Sequence, residues 1–295
     1  MTKPINFLIT GGTGFLGKYL TKSLLDKYPN SLVRTITRNE KEIQDARAFC
    51  NSERLETLVI DIRDVCALED VVSGIDCVFH LAAMKHIDLC ELNPIEAVTT
   101  NVVGTLNLLN LFKGHTFIGM STDKAAEPNG CYGATKLLLE RMVISKAKYY
   151  PEKRYMVVRS GNIFGSSGSV IDKWRQQISE RNEITITDPK MTRFFIQVNE
   201  LVDFLVDLIS HGETGRKYIP FQRALVIGDL AQAIIRKYGN NATKIKIIGL
   251  RQSEKKHELL FGEYENVDST NSEGSSLMAQ KMTQKEIETI FLHNN

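Results

Sequence analysis

Two pairs of side chains are equipped for acid–base chemistry: Asp123 beside Lys124, and Tyr132 four residues before Lys136. On a helix, a spacing of four puts the phenol and the amine on one face, one turn apart. A nearby ammonium favours the ionised phenol, so the spacing predicts a Tyr132 pKa lowered towards the working range of a general base. Thr122, Asp123 and Lys124 follow an apolar run, Thr116 to Met120, that reads as a buried strand ending at Ser121. A loop with Pro128, Asn129 and Gly130 then leads to a helical pattern beginning near Cys131. In open α/β sheets ligands bind beyond the carboxyl ends of the strands, where Ser121 to Lys124 fall. A Tyr-x-x-x-Lys string alone is common and fits a polar surface helix equally well. Its weight comes from the elements upstream.

Ile5 to Thr10 reads as a buried parallel strand and runs straight into Gly11-Gly12-Thr13-Gly14-Phe15-Leu16-Gly17. Leu16, Leu20 and Leu24 follow at helical spacing. Strand, glycines and helix in this order form a dinucleotide fingerprint. Gly11 allows the turn, Gly14 lets backbone approach a pyrophosphate, Gly17 lets helix pack on strand, and the helix N-terminus offers its free N–H groups. The second strand, Leu32 to Thr37, ends at Arg38 where an NAD site usually carries an acid, and a guanidinium suits a 2′-phosphate. NADP is therefore the expected cofactor, with NAD the other option because Glu40 is close by. After the third strand, Leu55 to Ile60, Asp61 can accept from the adenine amino group and Ile62 can lie against its ring. The fourth strand, Cys77 to Leu81, closes with Ala82 and Ala83, small enough to let a cofactor pass, and His80 within it reads as a satisfied core histidine. Pro94 opens one long helix through about Phe112, carrying Thr100, Asn101 and Gly104.

Beyond the central stretch, a long amphipathic helix from Cys131 to Tyr150 offers Leu137, Glu140, Arg141 and Ile144 as an intersubunit face. Tyr155 to Arg159 reads as a sixth strand, and Ser160 to Ser169 as a substrate loop rich in backbone donors. Helices are expected at Val170–Glu180, Val198–His211 and Ile227–Tyr238, and strands at Ile184–Thr187 and Lys244–Ile248. Gly249 to Glu258 is the last dense polar cluster. Past Gly262 apolar residues thin out and the chain is expected to wrap the surface, with Thr283 and Glu286 as a capping box for one terminal helix. The fold class is α/β: a Rossmann-type doubly wound parallel sheet, residues 1–160, to which later segments return. A smaller substrate-binding lobe and tail occupy 161–295.

Composition narrows the partners. The 295 residues are 42% hydrophobic and 24% charged, with a net charge of +2 and no concentrated basic face, so nucleic acid is not an expected partner. Five cysteines show no C-x-x-C or Cys/His metal spacing, and no metal is expected. With no signal-peptide pattern and no apolar run of about 18 residues, a cytoplasmic protein off the membrane is expected.

Together these motifs resemble the extended short-chain dehydrogenase/reductase family, and within it the soluble, inverting UDP-N-acetylglucosamine 4,6-dehydratases. The resemblance is carried by Gly11 to Gly17, Ala82 to His86, Glu91 with Asn93-Pro94, Thr100-Asn101 with Gly104, and Ser121 to Lys124. It continues through Tyr132 to Lys136, Arg159 to Asn162, Met191 to Phe194, and Arg251 to Glu258. Asp123-Lys124 is its most specific element, since the glucose-specific dehydratases usually carry Asp-Glu there. Ser253 stands where the family generally has glycine, and the tail after Glu265 matches no known pattern.

The resemblance implies a set of roles. Thr13, Phe15, Leu16, Leu81, Lys85 and Asn101 would join the glycines, Arg38, Asp61, Ile62 and the two alanines around the cofactor. Tyr132, ionised beside Lys136, would take the proton of the sugar C4 hydroxyl, with Thr122 holding that oxygen. Lys124, kept partly neutral by desolvation and by Lys136, would act as the C5 base, and Asp123, kept protonated by burial, would protonate the leaving C6 hydroxyl. Lys85, His86, Asn162 and Val170 would touch substrate, and Arg193, Arg251 and Glu254 would clamp the uridine diphosphate. Relatives are commonly dimers and sometimes hexamers, so a homo-oligomer is expected. Two rivals share the fold: a nucleotide-sugar C4 epimerase, which needs no acid and base at C5 and C6, and a non-catalytic NADP-binding regulator.

Overall fold

The computed structural model describes residues 4–250, 253–263 and 265–293. β1 (Phe7–Thr10) is buried along its whole length and leads into α1 (Phe15–Lys27), whose Leu20, Leu24 and Leu25 face the core. The alternation continues with β2 (Val33–Thr37), α2 (Lys41–Cys50), β3 (Leu55–Val59), α3 (Val65–Val72) and β4 (Cys77–His80). Two short helices follow, α4 (Ile87–Leu92) and α5 (Pro94–Val98), then a π-helical turn at Thr99–Val103 and α6 (Gly104–Leu111). β5 (Thr116–Thr122), a 3-10 turn at Asp123–Ala125, α7 (Cys131–Tyr149) and β6 (Arg154–Ser160) carry the central stretch. The chain then forms β7 (Asn162–Ile163), α8 (Val170–Arg181), β8 (Glu183–Ile186), β9 (Thr192–Ile196) and α9 (Val198–His211). It finishes with β10 (Lys217–Ile219), β11 (Arg223–Val226), α10 (Ile227–Tyr238), β12 (Lys244–Ile247), β13 (Asp268–Ser269) and α11 (Gln284–His293).

Among the described residues the main sheet has eight strands in the order β13-β10-β6-β5-β4-β1-β2-β3, all paired in parallel. Six of them, β1 to β6, follow the dinucleotide-binding order, in which the strand order reverses between β1 and β4 and opens a crevice beyond their carboxyl ends. Register puts Ser121 beside Arg159 and Thr122 beside Ser160, so the end of β5 is braced by the end of β6. Apolar clusters fill both faces of the sheet, as parallel strands buried on both sides require. A third cluster, around Trp174, Phe195 and Ile227, lies under β8, β9, α8, α10 and α11, and the Trp174 indole donates to Thr185 O at 2.8 Å. α9, by contrast, packs on α1 and belongs to the sheet's own layer.

Three expectations are corrected. The helix after Pro94 is interrupted by the π-helical turn, whose extra residue per turn shifts the facing of its side chains, and Asn101 within it is fully buried. Glu140 is absent from any intersubunit face because it is completely buried; Leu137 and Ile144 are half-buried, and the exposed apolar positions are Leu138 and Tyr149, with Leu106 on α6. The C-terminal segment does not wrap the surface. Leu260, Ser276, Ala279, Met282 and Ile287 are buried, and β13 adds a strand to the sheet edge. The capping box is present: Thr283 N donates to Glu286 Oε2 at 2.7 Å, and Glu286 N donates to Thr283 Oγ1 at 3.4 Å.

Candidate active site

A cleft of about 870 Å³ lies between the carboxyl end of the sheet and the smaller lobe. One half is walled by Gly11, Thr13, Gly14, Phe15, Leu16 and Gly17, and by Leu81, Ala82 and Ala83 at the end of β4. Gly17 has no room for a side chain, since a Cβ there would sit 2.4 Å from Gly11 O. No side chain caps α1, so its first N–H groups are free to meet a phosphate, and these residues fit the diphosphate of a dinucleotide. The Thr13 hydroxyl lies 2.9 Å from Thr37 Oγ1 and 3.0 Å from Glu42 Oε2. Glu42, which sequence reasoning passed over, lines the same wall.

Arg38, Asp61 and Ile62 are not part of the lining. Ile62 is buried in the core. Arg38 lies 3.2 Å from Glu96 and 3.6 Å from Asp61. Asp61 accepts from Arg63 at 2.6 Å, and that bond holds its carboxyl below the usual carboxylate range. Asn101 is also behind the wall: its amide accepts from Met84 N at 2.7 Å and donates to Met84 O at 3.0 Å and Thr135 Oγ1 at 3.0 Å. It ties the loop after β4 to α7 and shapes the cleft from outside.

The other half gathers Thr122, Lys124, Tyr132, Lys136, Asn162, Val170, Arg193 and Glu254 around one space. Arg251 lies outside the described residues. Lys85 crosses the cleft to donate to Ser167 O at 3.1 Å, burial pulls its pKa down, and His86 lines the wall beside it. Asp123 is fully buried under this floor: its Oδ1 accepts from Thr122 Oγ1 at 2.9 Å and Lys124 Nζ at 2.8 Å, while Oδ2 has no partner among the described residues. Gly133 lets α7 close on this turn, because a Cβ there would lie 2.2 Å from Lys124 O.

Electrostatics overturns two expectations. Burial pushes the Tyr132 phenol up to about 12 and outweighs the Lys124 ammonium and the Thr122 hydroxyl, which pull it down. Lys124 is no neutral base. Burial and Arg193 work against its charge, but Asp123 and Glu258 outweigh them and raise its pKa, so it is held as an ammonium. Burial does depress Lys136, to about 8, with Glu140 as the opposing charge.

Arg193 on β9 is almost wholly buried and spends its guanidinium on the C-terminal segment. It donates to Lys256 O at 3.1 Å and Lys255 O at 2.8 Å, with Glu254 and Glu258 each 3.6 Å away. Behind the floor lies a closed charge cluster that sequence reasoning missed. Arg159 donates to Glu140 at 2.6 and 2.9 Å and to Glu265 at 2.7 and 2.8 Å. Lys217 Nζ lies 2.9 Å from Glu140 and also bonds Glu265, and Ser121 Oγ donates to Glu140 at 2.6 Å. His80 is the satisfied core histidine expected, bonded to Thr10 and Thr105 at 2.7 and 2.8 Å.

Sheet order, glycine turn and the cluster beyond β5 define a Rossmann-type protein with the fold shared by nucleotide-sugar dehydratases and epimerases. The chain belongs to the polysaccharide biosynthesis protein family, whose sequence pattern matches residues 7–280. It is 40% identical over 275 residues, 89% of this chain and 82% of the other, to a Methanocaldococcus jannaschii protein described as an uncharacterized membrane protein. Among the described residues of this chain, no helix is long and apolar enough to cross a membrane. It is 36% identical over 261 residues, 86% of this chain and 76% of the other, to a UDP-glucose 4-epimerase of Rickettsia prowazekii. Among solved structures, Pen from Bacillus thuringiensis superposes with a TM-score of 0.89 at 30% identity, covering 99% of both chains. The dTDP-glucose 4,6-dehydratase DesIV from Streptomyces venezuelae, solved with NAD, gives a TM-score of 0.77 at 21% identity over 85% of this chain and 86% of its own, a likeness of fold.

Proposed function

We propose that the protein is a nucleotide-sugar 4,6-dehydratase that converts UDP-N-acetylglucosamine to a UDP-4-keto-6-deoxy acetamido sugar with inversion at C5, using NADP. In this reading residues 1–160 hold the cofactor, 161–295 mainly grip the UDP-sugar, and the enzyme works as a cytoplasmic homo-oligomer. One observation carries the reading: the Asp123–Lys124 pair lies at the floor of the cleft that Tyr132 and Lys136 also enter. Gly11 to Gly17, with Leu81, Ala82 and Ala83, would hold the dinucleotide, whose nicotinamide would supply a hydride acceptor for C4, a hydride donor for C6 and, when oxidised, a positive charge that favours the ionised phenol. Tyr132 takes the C4 hydroxyl proton, Lys136 steadies the phenolate, and Thr122 holds the C4 oxygen. The ketone so formed acidifies C5.

Lys124 enters with a proton, so the two-proton task at C5 and C6 belongs to the pair. It gives one proton to the departing C6 oxygen and takes one from C5. The proton that Tyr132 took from the C4 hydroxyl is then delivered to the opposite face of C5, which inverts that centre and leaves both Tyr132 and the pair as they began. Asn162, Val170 and His86 hold the sugar, and Arg251 with Glu254 hold the uridine diphosphate, the guanidinium on its phosphates and the carboxylate on its hydroxyl or N–H donors. Arg193 contributes there by fixing the segment that carries Glu254.

The test is incubation of the purified protein with UDP-N-acetylglucosamine in deuterated water. A product lighter by one water, with deuterium at C5, is expected by mass spectrometry and NMR. The names of the Rickettsia relatives favour a second reading, a C4 epimerase. A product of unchanged mass with its C4 hydroxyl inverted would establish that reading and remove the first.

A further inference from the structure

Glu258 belongs to none of the roles assigned so far, yet it lines the cleft and is almost wholly buried. Its Oε1 lies between two cations, 3.8 Å from Lys124 Nζ and 3.6 Å from Arg193 Nε. Its Oε2 is buried with no partner among the described residues, as is Oδ2 of Asp123 on the other side of the same ammonium. A buried carboxylate oxygen left without a donor is costly, and such atoms cluster where a substrate completes the bonding. The backbone holds Glu258 firmly: its N–H donates to Ser276 Oγ at 2.8 Å, and its carbonyl accepts from Ser276 N at 2.8 Å. Two residues earlier in the chain, Lys256 O accepts from Arg193, and Lys255 Nζ reaches Ala126 O at 2.8 Å, beside the Asp123 turn. The C-terminal segment is thus latched to the turn that bears Lys124.

We propose that Glu258 is a positioning residue of this site, its carboxylate reaching in from the C-terminal segment to fix the Lys124 side chain and keep its proton on. Among the described residues, the charged and titratable groups that face Lys124 are Asp123 on its own turn, Glu258 on the segment, Arg193 on β9 and Tyr132 on α7. Only the two acids favour the ammonium, and Asp123 alone must compete with burial and Arg193. Without Glu258 the balance moves towards the neutral amine. As a statement about catalysis this rests on the dehydratase reading. As a statement about the Lys124 proton it does not.

The experiment uses the full-length protein and its Glu258→Gln and Glu258→Asp variants. Lysine acylation by acetic anhydride is followed against pH, with Lys124 and Lys136 quantified by peptide mass. In Glu258→Gln, Lys124 should acylate about tenfold faster at pH 9, equivalent to a titration midpoint about one unit lower, while Lys136 keeps its profile. Glu258→Asp, which keeps the charge on the same backbone, should fall between the two and remain readable if the Gln variant fails to fold. A Lys124 rate equal to wild type in the folded Gln variant, or in Glu258→Asp if only that folds, overturns the proposal. With nucleotide sugar present, Glu258→Gln should lower kcat more than it raises KM and draw in the basic limb of the pH profile. If the wild-type protein turns over no nucleotide sugar, the functional reading fails, and the acylation rates still decide the role of Glu258.

Discussion

Two clusters of buried charge lie on either side of the floor made by β5, and they are built from the same residue types. Behind the floor, Glu140, Arg159, Lys217 and Glu265 are two acids and two bases, closed on themselves. Facing the cleft, Asp123, Lys124, Arg193 and Glu258 are again two acids and two bases, but each acid keeps an oxygen with no partner among the described residues. A charge taken out of water is tolerated when its bonding is complete. The closed cluster therefore serves the fold, and the open one is left for chemistry that a substrate completes. Charge count does not tell the two apart. Bonding does.

The largest effect that would sharpen the contrast is on turnover. Lys124→Ala should lower kcat by about 10²- to 10⁴-fold, the usual worth of a positioned acid or base, in a steady-state assay with nucleotide sugar. An unchanged kcat would break the distinction. Next, Arg159→Met should cost about 3–5 kcal/mol in urea unfolding, because it leaves Glu140 buried beside Lys217 with half its partners gone. Equal stability losses from the two substitutions would make both clusters structural.

Acid should weaken the fold through the closed cluster. Bonds from Arg159 and Lys217 outweigh burial and hold Glu265 at about 2, against an ordinary value of 4.5. Between those values the unfolded chain binds more protons than the folded one, so stability falls with falling pH across that window and is fully present above it. Urea midpoints at pH 5.5 and 3.5 should differ in the wild type and differ less in Glu265→Gln. The smallest expected effect is on cofactor choice. Arg38 shares its guanidinium with Glu96 and Asp61, so Arg38→Ala should weaken NADP binding only about tenfold relative to NAD by calorimetry. No change in that ratio would remove Arg38 from the preference.

Features whose causes are local could be read from the residues alone. The glycine turn, the bounds of α9 and α10, the capping box at Thr283 and the gathering of Thr122, Lys124, Tyr132 and Lys136 each follow from spacing within about twenty residues. Features set by distant partners could not. The spacing of Tyr132 and Lys136 suggested a lowered phenol, but burial under the smaller lobe raises it. Lys124 looked like a base because its second carboxylate, Glu258, arrives from a segment far along the chain. Glu140 fell on the outer stripe of a helical pattern, yet its burial depends on Arg159 and Lys217. Asn101 turns inwards through a π-helical turn that leaves no mark in the apolar periodicity.

The reach of Glu265 has a consequence for biosynthesis. Arg159 is made 106 residues before the acid that closes its cluster. At about 5–20 residues per second, the growing chain carries that guanidinium half-satisfied for about 5–20 s. Lys124 waits longer still, because Glu258 follows it by more residues than separate Arg159 from Glu265. A nascent chain is thus denied its anchor and its tuned amine together, so a partly synthesised copy has neither a settled fold nor a working cleft.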